Sequence, residues 1–170
     1  MEKTAFSMNG TRKLWPTRSR RGVQTLELIL VLPIVVLVTF AIFQFGLTMV
    51  LHHAVMSAAT EGAREGGKGA TPAQVGSVVE TVLLTTHGLS VAQDSGVMVI
   101  VEDSLAVSCV GDTNTFGAQC PVATSITDPE EVKVTVLVEF AATAVPNFLD
   151  IYSLDFSGSR YEIASIALKE

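Results

Sequence analysis

The sequence predicts an α+β protein with a long N-terminal transmembrane helix, followed by a short helix packed on a small, mainly antiparallel β-sheet. Three patterns predict this fold: an apolar run without charges, a short amphipathic helix with start and stop signals, and an alternating strand near the C-terminus. At 170 residues, the chain has room for one domain with an appendage.

The apolar run extends from Leu28 to Val50, and none of its 23 residues is Asp, Glu, Lys or Arg. As a helix rising about 1.5 Å per residue it would be roughly 34 Å long, enough to cross a hydrocarbon core of about 30 Å. The helical pattern continues beyond Val50 without a turn signal. The glycines at 66, 67 and 69 predict its end.

A small-residue face recurs every fourth position along this extension, at Ala54, Ala58, Gly62 and Gly66. Such a face lets another backbone approach the helix closely. Its partner could be another subunit or this chain's own sheet, and the sequence does not favour one over the other.

The second helix has clear boundaries. Thr71 and Gln74 form a capping box, with Pro72 at the first helical position, and Gly88 predicts the stop. The apolar stripe that should lie on a sheet comprises Val75, Val78, Val79, Val82 and Leu83.

The remaining elements are predicted strands at 97–101, 105–109, 132–140 and 161–168, with a turn at Glu102 and Asp103 between the first two. Residues 132–140 alternate between Val or Phe and mostly polar residues, which predicts a half-buried strand. We therefore expect a basic leader at 1–22, a transmembrane helix with its extension at 23–69, and a small α+β domain at 70–170.

Charge is distributed unevenly along the chain. Six of the 11 Lys and Arg residues lie within the first 21 positions, whereas residues 23–170 hold 5 basic and 16 acidic residues. Basic residues before an apolar helix and acidic residues after it indicate a cytoplasmic N-terminus and a domain outside. A body this acidic argues against binding to a nucleic-acid backbone.

Two cysteines, Cys109 and Cys120, fall on the predicted outside, where disulfides persist. We expect a disulfide that closes the Gly-, Asp- and Thr-rich segment between them, with two free thiols as the alternative. No second cysteine pair or nearby His completes a metal site, so we expect no metal.

The most informative constellation lies at the start of the apolar run. A basic pair, Arg20 and Arg21, precedes Gly22, and Glu27 stands five residues after that glycine. A carboxylate at the edge of hydrocarbon costs about 2–3 kcal/mol unless it has a partner. Cleavage after Gly22 would create an α-amine on Val23, one turn from Glu27. The simpler alternative is that Glu27 merely sits among lipid headgroups.

Residues 20–28, followed by Leu32 and Pro33, resemble the prepilin-type leader of the TadE-like family, pseudopilins of the tight-adherence (Flp) pilus system. Residues 43–46 and 58–64 also resemble family segments, and 132–140 with 164–170 resemble its last two strands more loosely. This chain departs from the family pattern at Leu28, where Phe is usual, and at Gln44, where an acidic residue is frequent.

The resemblance implies a bacterial inner-membrane protein, cut by a prepilin peptidase that reads Arg20, Arg21, Gly22, Val23 and Glu27. The apolar helix would stay on the mature protein, which would act as a minor pseudopilin. Its partners would be membrane lipid, other pilin or pseudopilin subunits and inner-membrane assembly machinery, with Glu27 as the subunit contact. Neither a cofactor nor a small-molecule substrate is implied.

Three other functions compete with this hypothesis. A secretory signal cut near Ala59 would need an h-region of roughly 7–15 residues, much shorter than this run. An enzyme lacks a recognisable motif, and the adjacent His52 and His53 diverge by about 100° on a helix. A stand-alone anchored binding protein unrelated to pili could use calcium, but the acidic residues lack ligand-loop spacing and indicate a solvated surface. These acidic residues are Asp94, Glu102, Asp103, Asp112, Asp128, Glu130 and Glu131.

Overall fold

The computed structural model describes residues 21–143 and 145–170. These residues divide into two compact units, one that ends at Val36 and one that begins at Leu37. The helices are α1 (Arg21–Gly67), α2 (Pro72–His87) and the single-turn α3 (Thr113–Phe116). The strands are β1 (Val97–Asp103), β2 (Val107–Gly111), β3 (Glu131–Glu139) and β4 (Arg160–Leu168). Short 3₁₀ turns lie at Gly117–Gln119, Phe140–Ala142 and Asp150–Tyr152.

The four strands form one sheet in the order β2-β1-β3-β4, and every neighbouring pair is antiparallel. The central pair, β1 and β3, is aligned with Val97 opposite Val138 and Asp103 opposite Val132. The predicted α+β fold, with a long apolar helix, a shorter helix and an antiparallel sheet, is confirmed.

Helix α1 is apolar enough and long enough to cross a membrane. Within Thr25–Gly67 its most apolar 18-residue window has a mean hydropathy of 2.8 and no buried residues. Pro33 lies inside the helix and has no N–H, so the Ile29 carbonyl loses its usual helical donor. The helix is therefore compatible with a single-pass membrane anchor.

The main core lies between the two helices and one face of the sheet. Valines at alternate positions of β1 and β3 point to this side, because successive strand residues face opposite ways. Apolar residues of α1 and α2 cover them. The fully buried members on the helices are Leu51, Val55, Ala58, Ala59, Val75, Val79 and Leu83.

The prediction that residues 132–140 form a half-buried strand is wrong over the middle of β3, where both faces are buried. Thr135 and Leu137, on the face expected to be solvated, are only 2% exposed. The segment after β2 covers this second face, where Phe116 packs with Met98, Ile100 and Leu137 in a smaller core. Phe140 stays buried but belongs to a 3₁₀ turn rather than to the strand.

The start and stop signals of α2 act as expected. The side chains of Thr71 and Gln74 cap reciprocally, and Gly88 ends the helix in the left-handed conformation at φ 69°. The predicted turn at Glu102 and Asp103 is displaced, because both residues belong to β1 and the chain reverses at 104–106.

Candidate functional site on the long helix

The expected peptidase site lies at the beginning of α1. Arg20 falls outside the described residues, while Arg21, Gly22 and Val23 have helical backbone. Glu27 lies one turn further along, and its side chain is exposed between the exposed Leu26 and Leu28. A carboxylate in this position is accessible to a partner from outside the chain.

Large apolar side chains continue along α1 from Leu26 to Val50, and most of them are exposed. Ile29, Ile42 and Phe45 are between 64% and 74% exposed. A continuous apolar surface of this length needs a lipid or protein environment, because water solvates it poorly.

Gln44 is the exception within this apolar stretch, because its side chain is 4% exposed. Its Oε1 accepts a hydrogen bond from the backbone N–H of Phe148 at 3.0 Å. The Phe148 ring stacks on Phe40 with centroids 5.7 Å apart. Within the described residues, Gln44 Nε2 is buried without a partner. A stacking contact and a hydrogen bond thus hold the apolar loop before β4 against the helix.

The contact between Gln44 and Phe148 escaped prediction from the sequence. One signal was available, because a polar side chain inside an otherwise apolar membrane-length run usually has a specific partner. Identifying Phe148 as that partner required the fold, since 104 positions separate the two residues.

The small-residue face of α1 packs on this chain's own sheet and on α2. Ala54, Ala58, Gly62 and Gly66 are all buried. A Cβ added at Gly62 would lie 2.7 Å from Val79 Cγ2, and one at Gly66 would lie 2.9 Å from Val132 Cγ1. Of the two partners left open by the sequence, the chain's own sheet occupies this face.

Comparison with known families concerns this same helix. Residues 22–64 match the model of the TadE-like protein family. The match begins at the predicted cleavage glycine and includes Glu27, the apolar run and Gln44. Over this segment it confirms the resemblance seen in the sequence and points to a role connected with the Tad pilus, while the looser resemblance at 132–140 and 164–170 lies outside the match. No curated protein and no solved structure matches the chain.

Beyond the TadE-like segment, Cys109 and Cys120 are joined by a disulfide with Cα atoms 6.2 Å apart. The loop it closes contains α3, whose Phe116 covers the second face of the sheet. Asp112 caps this helix, accepting hydrogen bonds from the N–H groups of Thr115 and Gly96 at 2.9 Å each. Burial raises the pKa of Asp112, but these hydrogen bonds outweigh it and hold the pKa below its ordinary value.

The expectation of a solvated acidic surface is wrong for Asp112 and Glu102, which are 0% and 3% exposed. Glu102 accepts hydrogen bonds from the backbone and hydroxyl of Ser125, and Lys133 Nζ lies 3.2 Å from its other oxygen. Burial raises the pKa of Glu102, yet Ser125 and Lys133 together bring it below its ordinary value. These carboxylates stabilise the fold.

No group of three or more His, Cys, Asp or Glu side chains able to hold a metal occurs in the described part of the chain. His52 and His53 are both exposed on α1, with ring centroids 6.1 Å apart and planes at 83°. Their divergence follows from adjacent positions on a helix.

Proposed function

We propose that this chain is a membrane-anchored minor pseudopilin that takes part in assembling a Flp-type, tight-adherence pilus or a related secretion apparatus. The observation that carries the proposal is the TadE-like match over residues 22–64. It spans the features that such a subunit needs together: a cleavage glycine, a glutamate five residues later, and an apolar helix that continues into the domain.

The charge distribution supports insertion in the bacterial inner membrane with the N-terminus in the cytoplasm. Six basic residues precede the apolar run that begins at Leu28, and the chain beyond the helix is strongly acidic. Positive residues are retained on the cytoplasmic side of membrane helices. The domain with its disulfide would then lie outside the cytoplasm, in a compartment where disulfides persist.

The core packing supports retention of the helix in the mature protein. Leu51, Val55, Ala58 and Ala59 are 0% exposed and belong to the main core. Cleavage near Ala59, as for an ordinary secretory signal, would remove these side chains from the domain. Each large side chain lost from a core typically costs about 2–5 kcal/mol, so such a product would be poorly stable.

Processing after Gly22 would leave the apolar helix intact and place a new α-amine on Val23. This amine, in the same subunit or in a neighbouring one, is a natural counter-charge for Glu27 in an apolar setting. The exposure of the Glu27 side chain leaves it accessible for such a pairing. The chain would then act by assembly with its partners and not as an enzyme. These partners are the prepilin peptidase, other pilin-type subunits and the inner-membrane machinery.

The test is the substitution Glu27→Gln in cells whose only copy of this protein carries it. Loss of one member of a buried ion pair costs about 3–5 kcal/mol, which lowers an association constant by roughly two to three decades. We expect the variant to be inserted and cut after Gly22, yet to crosslink poorly to other subunits and to fail in piliation.

The matched control is Glu61→Gln, the same chemical change at an exposed glutamate further along α1. Cells that carry this control variant should form pili normally. Normal piliation with Glu27→Gln would show that Glu27 is not the assembly contact. It would favour the alternative of an anchored binding protein that works alone.

A further inference from the structure

The loop of residues 145–156 combines an apolar surface with contacts to the apolar run of α1. Ile151 and Leu154 are 76% and 50% exposed, although both are large aliphatic side chains. The loop closes on itself, because the N–H of Leu154 donates to the Leu149 carbonyl at 3.2 Å and Leu149 is buried. Its exposed apolar side chains therefore belong to an ordered, compact element.

The residues of α1 that hold this loop belong inside the membrane-length run. A helix needs about 20 residues to cross the hydrocarbon core. Every window of about that length within Leu28–Val50 contains residues 31–47, and hence both Phe40 and Gln44. Phe148 stacks on the first and donates its backbone N–H to the second. The loop is thus attached to helix residues that are surrounded by lipid when the helix spans a membrane.

In such a setting the Gln44 side chain supplies a hydrogen-bond acceptor that the loop backbone needs. Non-helical backbone is tolerated at membrane depth only where its polar groups are satisfied by protein. The Gln44 side chain satisfies the Phe148 N–H, and it does so from a buried position in an otherwise apolar stretch. A water-exposed loop would need no such acceptor.

From these observations, and resting on the membrane anchoring proposed above, we propose that the 145–156 loop is a second membrane contact. Ile151 and Leu154 insert into the outer boundary of the bilayer, among headgroups and the upper acyl chains. Asp150 and Asp155 are exposed in the same loop and keep the immersion shallow. A depth of about 5–10 Å is typical of interfacial elements. The loop therefore sets how close the domain lies to the membrane.

The test is depth-dependent fluorescence quenching of the full chain in phosphatidylcholine vesicles, with and without lipids brominated in their acyl chains. Trp15 is the single tryptophan, so a Trp15→Phe background makes each introduced probe unique. The loop probes are Ile151→Trp and Leu154→Trp. Ile42→Trp reports the membrane interior, because this side chain is 67% exposed within the apolar run.

Leu105→Trp is the matched control outside the membrane. Leu105 is 91% exposed in the β1–β2 turn, beyond the end of the sheet at which Asp103 pairs with Val132. The loop follows the opposite end of β3, since Phe140 comes directly after that strand. The two sites therefore differ in position along the sheet while both start from exposed aliphatic residues.

We expect both loop probes to be quenched more strongly than Leu105→Trp, which stays unaffected, and less strongly than Ile42→Trp, because interfacial elements lie only about 5–10 Å into the bilayer boundary. Quenching no stronger than that of Leu105→Trp would overturn the proposal. Blue-shifted loop emission without quenching would also overturn it, in favour of a second protein subunit covering the loop. An unquenched Ile42→Trp would instead refute the membrane anchoring itself.

A second variant tests the tether. Gln44→Leu removes the acceptor of the Phe148 N–H but keeps the helix apolar. It should weaken quenching of both loop probes and leave the Ile42→Trp signal unchanged. Unchanged loop quenching would refute the role of Gln44 in holding the loop at this depth.

Discussion

Gly62→Ala tests the close packing of α1 on the domain. The added Cβ would lie 2.7 Å from Val79 Cγ2 and 3.3 Å from Val134 Cγ1, well inside the usual carbon–carbon contact of about 3.5–4.0 Å. Both valines are 0% exposed, so neither can move into solvent. We expect an overpacking cost of about 1–3 kcal/mol.

Replacing glycine by alanine also favours the helix, by about 1 kcal/mol, so the net loss of stability at Gly62 is smaller than the packing cost. Gly46→Ala is the matched control, since it lies in the same helix and, apart from its chain neighbours and the helix's own backbone, no described atom comes within 4 Å of its added Cβ. The helix gain is common to both variants and cancels in their difference. That difference should equal the packing cost of about 1–3 kcal/mol.

The assay is hydrogen exchange of the β1 and β3 amides in the full chain in detergent, because these amides report opening of the core. At about 1.4 kcal/mol per tenfold, exchange should be roughly 5- to 150-fold faster in Gly62→Ala than in Gly46→Ala. Equal exchange in the two variants would show that this face of α1 is not closed against the sheet, and the packing argument would be refuted.

Two further predictions concern the domain. The pKa values of Glu102 and Asp112 are lowered in the folded state, so their stabilisation is present at neutral pH and is lost as the pH falls below their ordinary values of 4.5 and 3.8. In acid titrations of unfolding, Glu102→Gln should therefore lose less stability than the parent between neutral and acidic pH. An identical dependence of stability on pH in the two proteins would contradict the role of Glu102. The double replacement of Cys109→Ser and Cys120→Ser should reduce the free energy of unfolding by about 2–3 kcal/mol, measured by denaturant titration without reductant. A double variant as stable as the parent would contradict the disulfide's contribution.

Local signals in the sequence predicted α1 and α2 well because their causes are local, whereas the single-turn α3 was not predicted. Thr71 and Gln74 cap α2 through side chains three positions apart, and Gly88 adopts the left-handed conformation that favours glycine. The membrane-length run is equally local, since it depends only on consecutive residues without charge. The start of the TadE-like match at residue 22 agrees with the motif around Gly22.

Prediction from the sequence was wrong where a distant segment changes the environment of a strand. Leu137 continues an alternating pattern on the face expected to be solvated, but Phe116, more than twenty positions earlier, packs against it. Glu102 appeared to belong to a solvated acidic surface, because its partners Ser125 and Lys133 are more than twenty positions away. The pairing of Gln44 with Phe148 was hidden for the same reason.

The mature N-terminus of the protein recovered from the membrane fraction tests the central claim most directly. Intact mass and N-terminal sequencing should give a chain that begins at Val23 and keeps the whole of the apolar run. Gly22→Asp should remain uncut, because a charged side chain replaces a residue that has none. A chain beginning at Met1, or one beginning near Ala59, would contradict a prepilin-type subunit.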